Sequence, residues 1–470
     1  MRRRRALMAV LAVLIPVSLA MSPLGLRGLI SESALAALRS WDAFHLSLEP
    51  HLEHTRAPKR VDPRPLAEQA AAMEDDLDAV FTTFDGKLFL IDTPPVQVGD
   101  VCLWQGVFAA EAALRASLTG SNPDAVRAAK ALEGLGMLTS RGRPIARSFY
   151  PATLRTENPG LWAGRDRHYQ WKEDASIDSV IGWVFGVLMV RELLPALRPE
   201  ADRLIVGFSA ALRGGGYRLR NSDGSLTRFN RVGGAWINAP AGVLVTLAAL
   251  QTAARADPRG PWATEHARFI REGQDRWGAY GSVPMLWRNK TTNHNIAFLA
   301  LSAALLAEDA PARKTVYARG LVRLSRLMEK SGNSFWTYLA VWSLERKGFA
   351  DPLKDREVAL WLARRRAHMG RARVAMLEWD YPRNKVRREV VNSADPALAM
   401  GRWPFSGLKA LRQPLPVWQR PPADFLWQRS AYSMDDWEGH PESEGKRFSP
   451  LDFLIAYRLG QAIGALDGSE

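Results

Sequence analysis

Helical stretches come in pairs along this sequence, about six of them. Residues 98–119 carry apolar side chains at Val101, Trp104, Val107, Phe108, Ala112 and Leu114. That spacing of three and four draws one apolar face on a helix. Gly120-Ser121-Asn122-Pro123 stops this helix and starts the next, which returns over 125–138. The alternation recurs at 176–194 with 199–212, 237–256 with 262–277, 293–308 with 311–330, and 333–347 with 355–366. A last helix at 451–466 pairs with one inside 66–80. Within a pair the connection is tight; between pairs it is longer, polar and glycine-rich. No short sequence repeat accompanies the pairing, which argues against a solenoid. Two-helix units closed into a ring bury every inner helix without capping repeats. The pattern therefore predicts an all-α fold, an (alpha/alpha)6 barrel or toroid, whose longer loops line a cleft at one end. Strand-like pieces are few: 87–91, and a hairpin of 217–220 with 226–229 around Ser222-Asp223-Gly224.

Ahead of the helices stand four arginines at 2–5 and an apolar run at 6–21, closed by Ser18-Leu19-Ala20. These are the parts of a secretory signal. An uncleaved anchor is the alternative, since spanning a bilayer takes about 20 apolar residues. Both readings keep the arginines inside and translocate the rest. They divide the chain into a signal or anchor at 1–21, a proline-containing stem at 22–65 with one short helix at 32–41, and a toroid domain at 66–470. The protein is thus expected outside the cytoplasm: periplasmic, secreted, or held at the outer face of the membrane through its N-terminus.

Composition narrows the chemistry. The single cysteine, Cys102, excludes an internal disulfide framework and a cysteine-based zinc site. No HExxH motif is present, and neither a metal nor another cofactor is expected. Lys and Arg number 63 against 49 Asp and Glu, for a net charge of +14. The basic residues are scattered, with dense spots at 364–366 and 383–388, and no finger, zipper or aromatic-basic signature marks a nucleic-acid binder.

Four groupings could carry chemistry. Asp100-x-x-x-Trp104-x-Gly106 starts a helix after a long loop; Asp100 suits a cap, Gly106 close helix packing, and Trp104 a sugar-stacking position. Glu173-Asp174-x-Ser176-x-Asp178 brings three carboxylates to a helix start that a cap alone does not require. Ser176 or Asp174 can cap, and Asp178 then projects from the first turn as an acid or base. Asn293-His294-Asn295 begins another inner helix, with a histidine suited to proton transfer. The last is Asp435-Asp436-Trp437-Glu438 near the C-terminus, preceded by Trp418, Trp427 and Tyr432. Aromatic faces beside carboxylates suit carbohydrate, and 17 tryptophans is a high number. Each grouping also has a plain structural reading as cap, core or solvated turn.

The stretch GDVCLWQGVFAAEAALRASLTG…GRPIARS over 99–147 resembles the first helix pair of exported alpha/alpha-toroid proteins that look like six-hairpin glycosidases. Similar likenesses run through ASIDSVIGWVFG at 175–186, GYRLRNSDGSLTRF at 216–229, TNHNIAFLAL at 292–301, VVNSADP at 390–396, and the tail at 415–421 and 450–460. The chain departs from that group at Ser179, at Asn295 and in the helix containing Ile455.

The resemblance and the residues together lead to an exported carbohydrate-active protein, a glycoside hydrolase of a polysaccharide or oligosaccharide. Asp178 is its expected catalytic carboxylate, with Asp174 or Asp436 as partner. Trp104, Arg147, Asn293, His294, Trp336 and Trp437 are the expected substrate contacts. A polysaccharide lyase acting on a uronate, through Asn293, His294, Arg147 and Tyr217, is an alternative. So is a non-catalytic glycan-binding or envelope-assembly protein.

Overall fold

The computed structural model describes residue 40 and residues 59–91, 99–139, 145–152, 162–165, 168–233, 240–280, 292–367, 369–379, 400–402, 409–411, 414–420, 425–428, 431 and 447–467. The N-terminal signal or anchor, nearly all of the stem and its short helix, Asp436 and Trp437 lie outside them.

Inner helices are α2 (Val101–Thr119), α4 (Ile177–Leu193), α6 (Pro240–Ala256), α9 (Thr292–Ala307), α11 (Ser334–Arg346) and α14 (Leu451–Ala462). Each packs on the next, and α14 packs back on α2, closing the ring. The outer helices are α1 (Leu66–Asp76), α3 (Asn122–Met137), α5 (Arg198–Gly214), α7 (Trp262–Arg271) with α8 (Gln274–Ala279), α10 (Pro311–Met328), and α12 (Arg356–Ala367) with α13 (Gly370–Leu377). α1 packs on α14, so the first and last helices of the domain form the sixth pair. The (alpha/alpha)6 toroid read from the sequence is the fold.

The sequence sorts the two layers. In α4 every residue from Ser179 to Val190 is buried, and in α9 every one from Ala297 to Ala307. A helix apolar on all sides has to lie inside. α5 instead buries one stripe, Ala201, Leu204, Ile205, Phe208 and Leu212, and turns Glu200 and Arg213 outward. Inner helices approach most closely where α2 crosses α4. A methyl group on Gly106 would run into the carbonyl of Gly182, and one on Gly186 into the backbone of Gly106. The Gly182-x-x-x-Gly186 pair therefore receives the Gly106 turn.

Ring closure also buries charge. Glu111 of α2 is fully buried, 3.7 Å from Arg458 Nε of α14 and 4.0 Å from Arg127 Nη2 of α3. Arg458 pairs further with Glu74 of α1, whose other carboxylate oxygen lies 3.0 Å from Arg115 Nη1. Burial raises the Glu111 pKa and pushes that of Arg458 down to about 10. Removing one member of such a buried set strands the others, at about 3–5 kcal/mol. Arg458→Met is expected to lower the unfolding free energy by about 3 kcal/mol, read from the urea midpoint; an unchanged midpoint would mean the ring closes without this network.

Strands are short and antiparallel. β1 (Thr82–Thr83) pairs with β2 (Leu88–Phe89), and β6 (Arg218–Arg220) with β7 (Leu226–Arg231), the hairpin the Asp-Gly turn foretold. The sequence did not show the sheet in which β5 (Tyr169–Lys172) lies between β3 (Ser148–Pro151) and β4 (Trp162–Arg165). It also did not show the separate helix α13. A further pair joins β8 (Met400–Arg402) to β9 (Lys409–Leu411).

Candidate active site at the inner-helix starts

Because helix direction alternates, all inner helices begin at one end of the ring. At that end the structure gathers Asp100, Arg147, Asp174 and Asp178. The first turn of α2 is anchored through β3: Cys102 N donates to Arg147 O at 3.0 Å, and Arg147 N donates to Lys172 O of β5 at 2.9 Å. This occupies an α2 amide that the helix itself leaves without a partner. It also fixes the Arg147 side chain across the helix start. Its Nη2 lies 3.0 Å from Asp100 Oδ1 and its Nη1 donates to Asp174 O at 3.3 Å. Its Nε donates to the carbonyl of Gly99.

Asp100 precedes α2, yet its side chain makes no capping hydrogen bond. The capping role expected for it is therefore corrected: its carboxylate is turned to Arg147. The Ser176 expectation holds. Its hydroxyl accepts from Ser179 N at 3.4 Å, and Ser179 Oγ accepts from Ser176 N at 3.3 Å, a reciprocal capping box. With the cap supplied by serines, the Asp178 carboxylate is not needed for it.

Asp178 is half-buried in the first turn of α4. Its pKa is pushed up from the ordinary 3.8 to about 6, first by burial, then by the neighbouring charge of Asp100, with Arg147 opposing. Close by, burial is the leading cause of a lowered Lys172 pKa, with Arg147 adding to it.

Asp174 serves the scaffold. It has φ +63°, a left-handed conformation uncommon for a side chain other than glycine. Its N–H donates to Asn221 Oδ1 at 3.1 Å, its Oδ1 accepts from Arg228 N at 2.7 Å, and its Oδ2 lies 3.1 Å from Arg228 Nη2. Glu173 Oε1 accepts from Ser222 N at 2.9 Å. The two carboxylates thus clamp the β6–β7 hairpin beside the start of α4. Asp174→Ala removes the clamp and is expected to cost about 2 kcal/mol, seen as a lower urea midpoint. A midpoint within error of the unchanged protein would show that the hairpin holds without it.

Other expected contacts sit in the core. Trp104 is 1% exposed and stacks on Phe425 with ring centroids 3.2 Å apart, so it offers no face to a sugar. Trp336 is buried as well; its indole N–H donates to Asn295 Oδ1 at 2.9 Å and its ring stacks on Phe298. His294 is fully buried, edge-on to Trp336, and burial together with Arg323 pushes its pKa down to about 3. It is a neutral core residue at ordinary pH. Asn293, one position earlier, is exposed. Trp104, Trp336 and His294 fail as surface contacts because each is packed into the core at the start of its inner helix. Sequence reading overlooked Phe229, which stands 55% exposed on β7 next to the clamped Arg228. Among the described residues no group of three or more His, Cys, Asp or Glu is placed to hold a metal.

The site thus combines a carboxylate paired with a guanidinium and a second carboxyl whose pKa is raised. Two acids in contrasting environments can divide the roles of base and acid. No family model and no curated protein matches the chain. Among solved structures it is similar to a sugar epimerase from a ruminal bacterium, with a TM-score of 0.37 and 10% sequence identity, over 64% of this chain and 87% of that one.

Proposed function

We propose that Asp178 and Asp100 form the acid–base centre of a glycoside hydrolase that acts outside the cytoplasm. The observation that carries this reading is the raised pKa of Asp178 beside an Asp100 held by Arg147. Asp178, protonated up to near pH 6, delivers its proton to the departing glycosidic oxygen. Asp100, paired with Arg147, activates water or meets the positive charge that develops at the anomeric carbon. Hydrolysis needs two such groups, and only one of them protonated.

This assignment keeps Asp178 and replaces its partner. Asp174 is spent on the β6–β7 clamp, so Asp100 takes that role. Arg147 becomes a positioning residue for Asp100, and exposed Phe229 a candidate platform for a sugar face. The lyase alternative relied on His294 as base, and full burial withdraws that side chain from a polymer. The acid–base reading is therefore preferred.

The experiment is a survey of the full chain against soluble polysaccharides, scored for new reducing ends and, separately, for the ultraviolet absorbance of an unsaturated product. Reducing ends without absorbance, lost in Asp178→Asn, support hydrolysis. Absorbance growth identifies a lyase. Tight binding of a glycan with no product in either assay would make the protein a binder and end the enzymatic reading.

A further inference from the structure

The net charge of the chain is not evenly spread. Residues 311–373 hold 15 Lys and Arg against five Asp and Glu, a surplus of ten, and the arginines at 2–5 supply the rest of the +14. This stretch builds α10, α11, the following turn, α12 and the start of α13. α10 and α12 stand side by side on the outer wall, away from the carboxylate site.

The acids of the stretch are already engaged. Asp355 and Glu357 pair with Arg319 and Arg326, each at 2.8 Å, which ties α10 to the start of α12. Glu329 pairs with Arg365 at 3.1 Å, and Glu345 with Arg366. Asp351 Oδ1 accepts from Leu353 N at 2.9 Å. Exposed Arg356 and Arg364 have no acidic partner among the described residues.

Two leucines sit in the same surface. Leu353 is 93% exposed, in a turn fixed by its bond to Asp351 and by Lys354 N donating to Asp351 O at 3.2 Å. Leu360 is 49% exposed on α12, four residues after Arg356 and four before Arg364. Residues four apart share a helix face, so Arg356, Leu360 and Arg364 form one stripe of α12, and Leu353 projects from the turn that precedes it. α12 otherwise buries Val358, Trp361 and Leu362, so these leucines are not part of its core contact.

We propose that this face of α12, with its preceding turn, docks on an anionic lipid bilayer, the arginines among headgroup phosphates and the leucines in the interface. Charge alone would fit any polyanion. The exposed leucines favour lipid, because a soluble acidic polymer gives a fully projecting leucine nothing to bury against, whereas interfacial binding scales with buried apolar area plus attraction to anionic headgroups. The proposal is independent of the carboxylate site.

The test uses Leu353→Cys in the full chain. Cys102 is fully buried, so the new thiol takes an environment-sensitive dye alone. Vesicles of phosphatidylcholine with phosphatidylglycerol are expected to shift the dye emission to the blue, and vesicles of phosphatidylcholine alone to leave it unchanged. Adding Arg356→Ser and Arg364→Ser is expected to raise the lipid concentration at half-shift about thirtyfold, at roughly tenfold per 1.4 kcal/mol and about 1 kcal/mol per basic residue. Sedimentation of the same samples separates this face from any insertion by the N-terminal apolar run. Protein that sediments with anionic vesicles while the dye stays in water overturns the proposal. So does a blue shift given by a soluble acidic polysaccharide and not by vesicles.

Discussion

Asp178→Asn is expected to lower turnover of a cleaved glycan by about 10²- to 10⁴-fold, the usual contribution of a positioned proton donor. The amide keeps the shape of the carboxyl and cannot give up a proton. The capping serines are untouched, so α4 starts as before. The same substitution should make the protein more stable at pH 7. A carboxyl whose native pKa stands above its unfolded value costs stability once both states are ionised. The cost is absent below the ordinary 3.8, grows as pH rises, and is complete above about 6. A rise of that size corresponds to about 3 kcal/mol. Loss of activity with a gain in stability at neutral pH, and no gain at pH 3, separates a functional carboxyl from a structural one. A structural carboxyl would lose stability on substitution. The clamping Asp174 is expected to do that.

The largest loss of stability is expected from Gly182→Ala. Its added methyl would meet the backbone carbonyl of Leu103, and no rotamer relieves a clash with backbone. Overpacking a close-packed core costs about 1–3 kcal/mol, and more where backbone must move. α2 and α4 are neighbouring inner helices of the ring, so separating them disturbs the packing of α2 on α14 and of α4 on α6. The expected result is an unfolding free energy lower by more than about 3 kcal/mol, seen as a lowered thermal midpoint or a failure to purify folded protein. Gly207→Ala is the control, since a methyl there meets open space on outer helix α5; it is expected to leave the midpoint unchanged or raise it slightly. Equal midpoints for both variants would mean that the α2–α4 contact is looser than described.

How far the sequence could be read follows from which signals are local. Helix pairing, the Asn-Pro and Asp-Gly turns, the capping serine before α4 and the packing role of Gly106 are written in residues a few positions apart. All of them are found in the structure. The closure of α1 on α14 was legible only because one helix was left over at each end of the domain. The candidate site was legible in part. Asp178 was marked by its place in a first turn that Ser176 already capped. Its relation to Asp100 was hidden, because it depends on Arg147, and Arg147 is placed by pairing between β3 and β5, short strands with little alternation to announce them. Trp104, Trp336 and His294 misled for a physical reason. An aromatic residue in the opening turn of an inner helix has the same sequence signature whether its ring faces a cleft or the neighbouring helix. In this chain Phe425, Phe298 and Asn295 take those faces.

The proton affinity of Asp178 decides between an acid–base centre and an ornamental carboxyl, and it can be measured without knowing the substrate. Carbon-13 NMR of aspartate-labelled protein, with Asp178→Asn to assign the resonance, gives the titration directly. The expected midpoint is about 6, moving toward the ordinary range in Asp100→Asn because a neighbouring negative charge has gone. A midpoint near 4, unmoved by that substitution, would contradict the account.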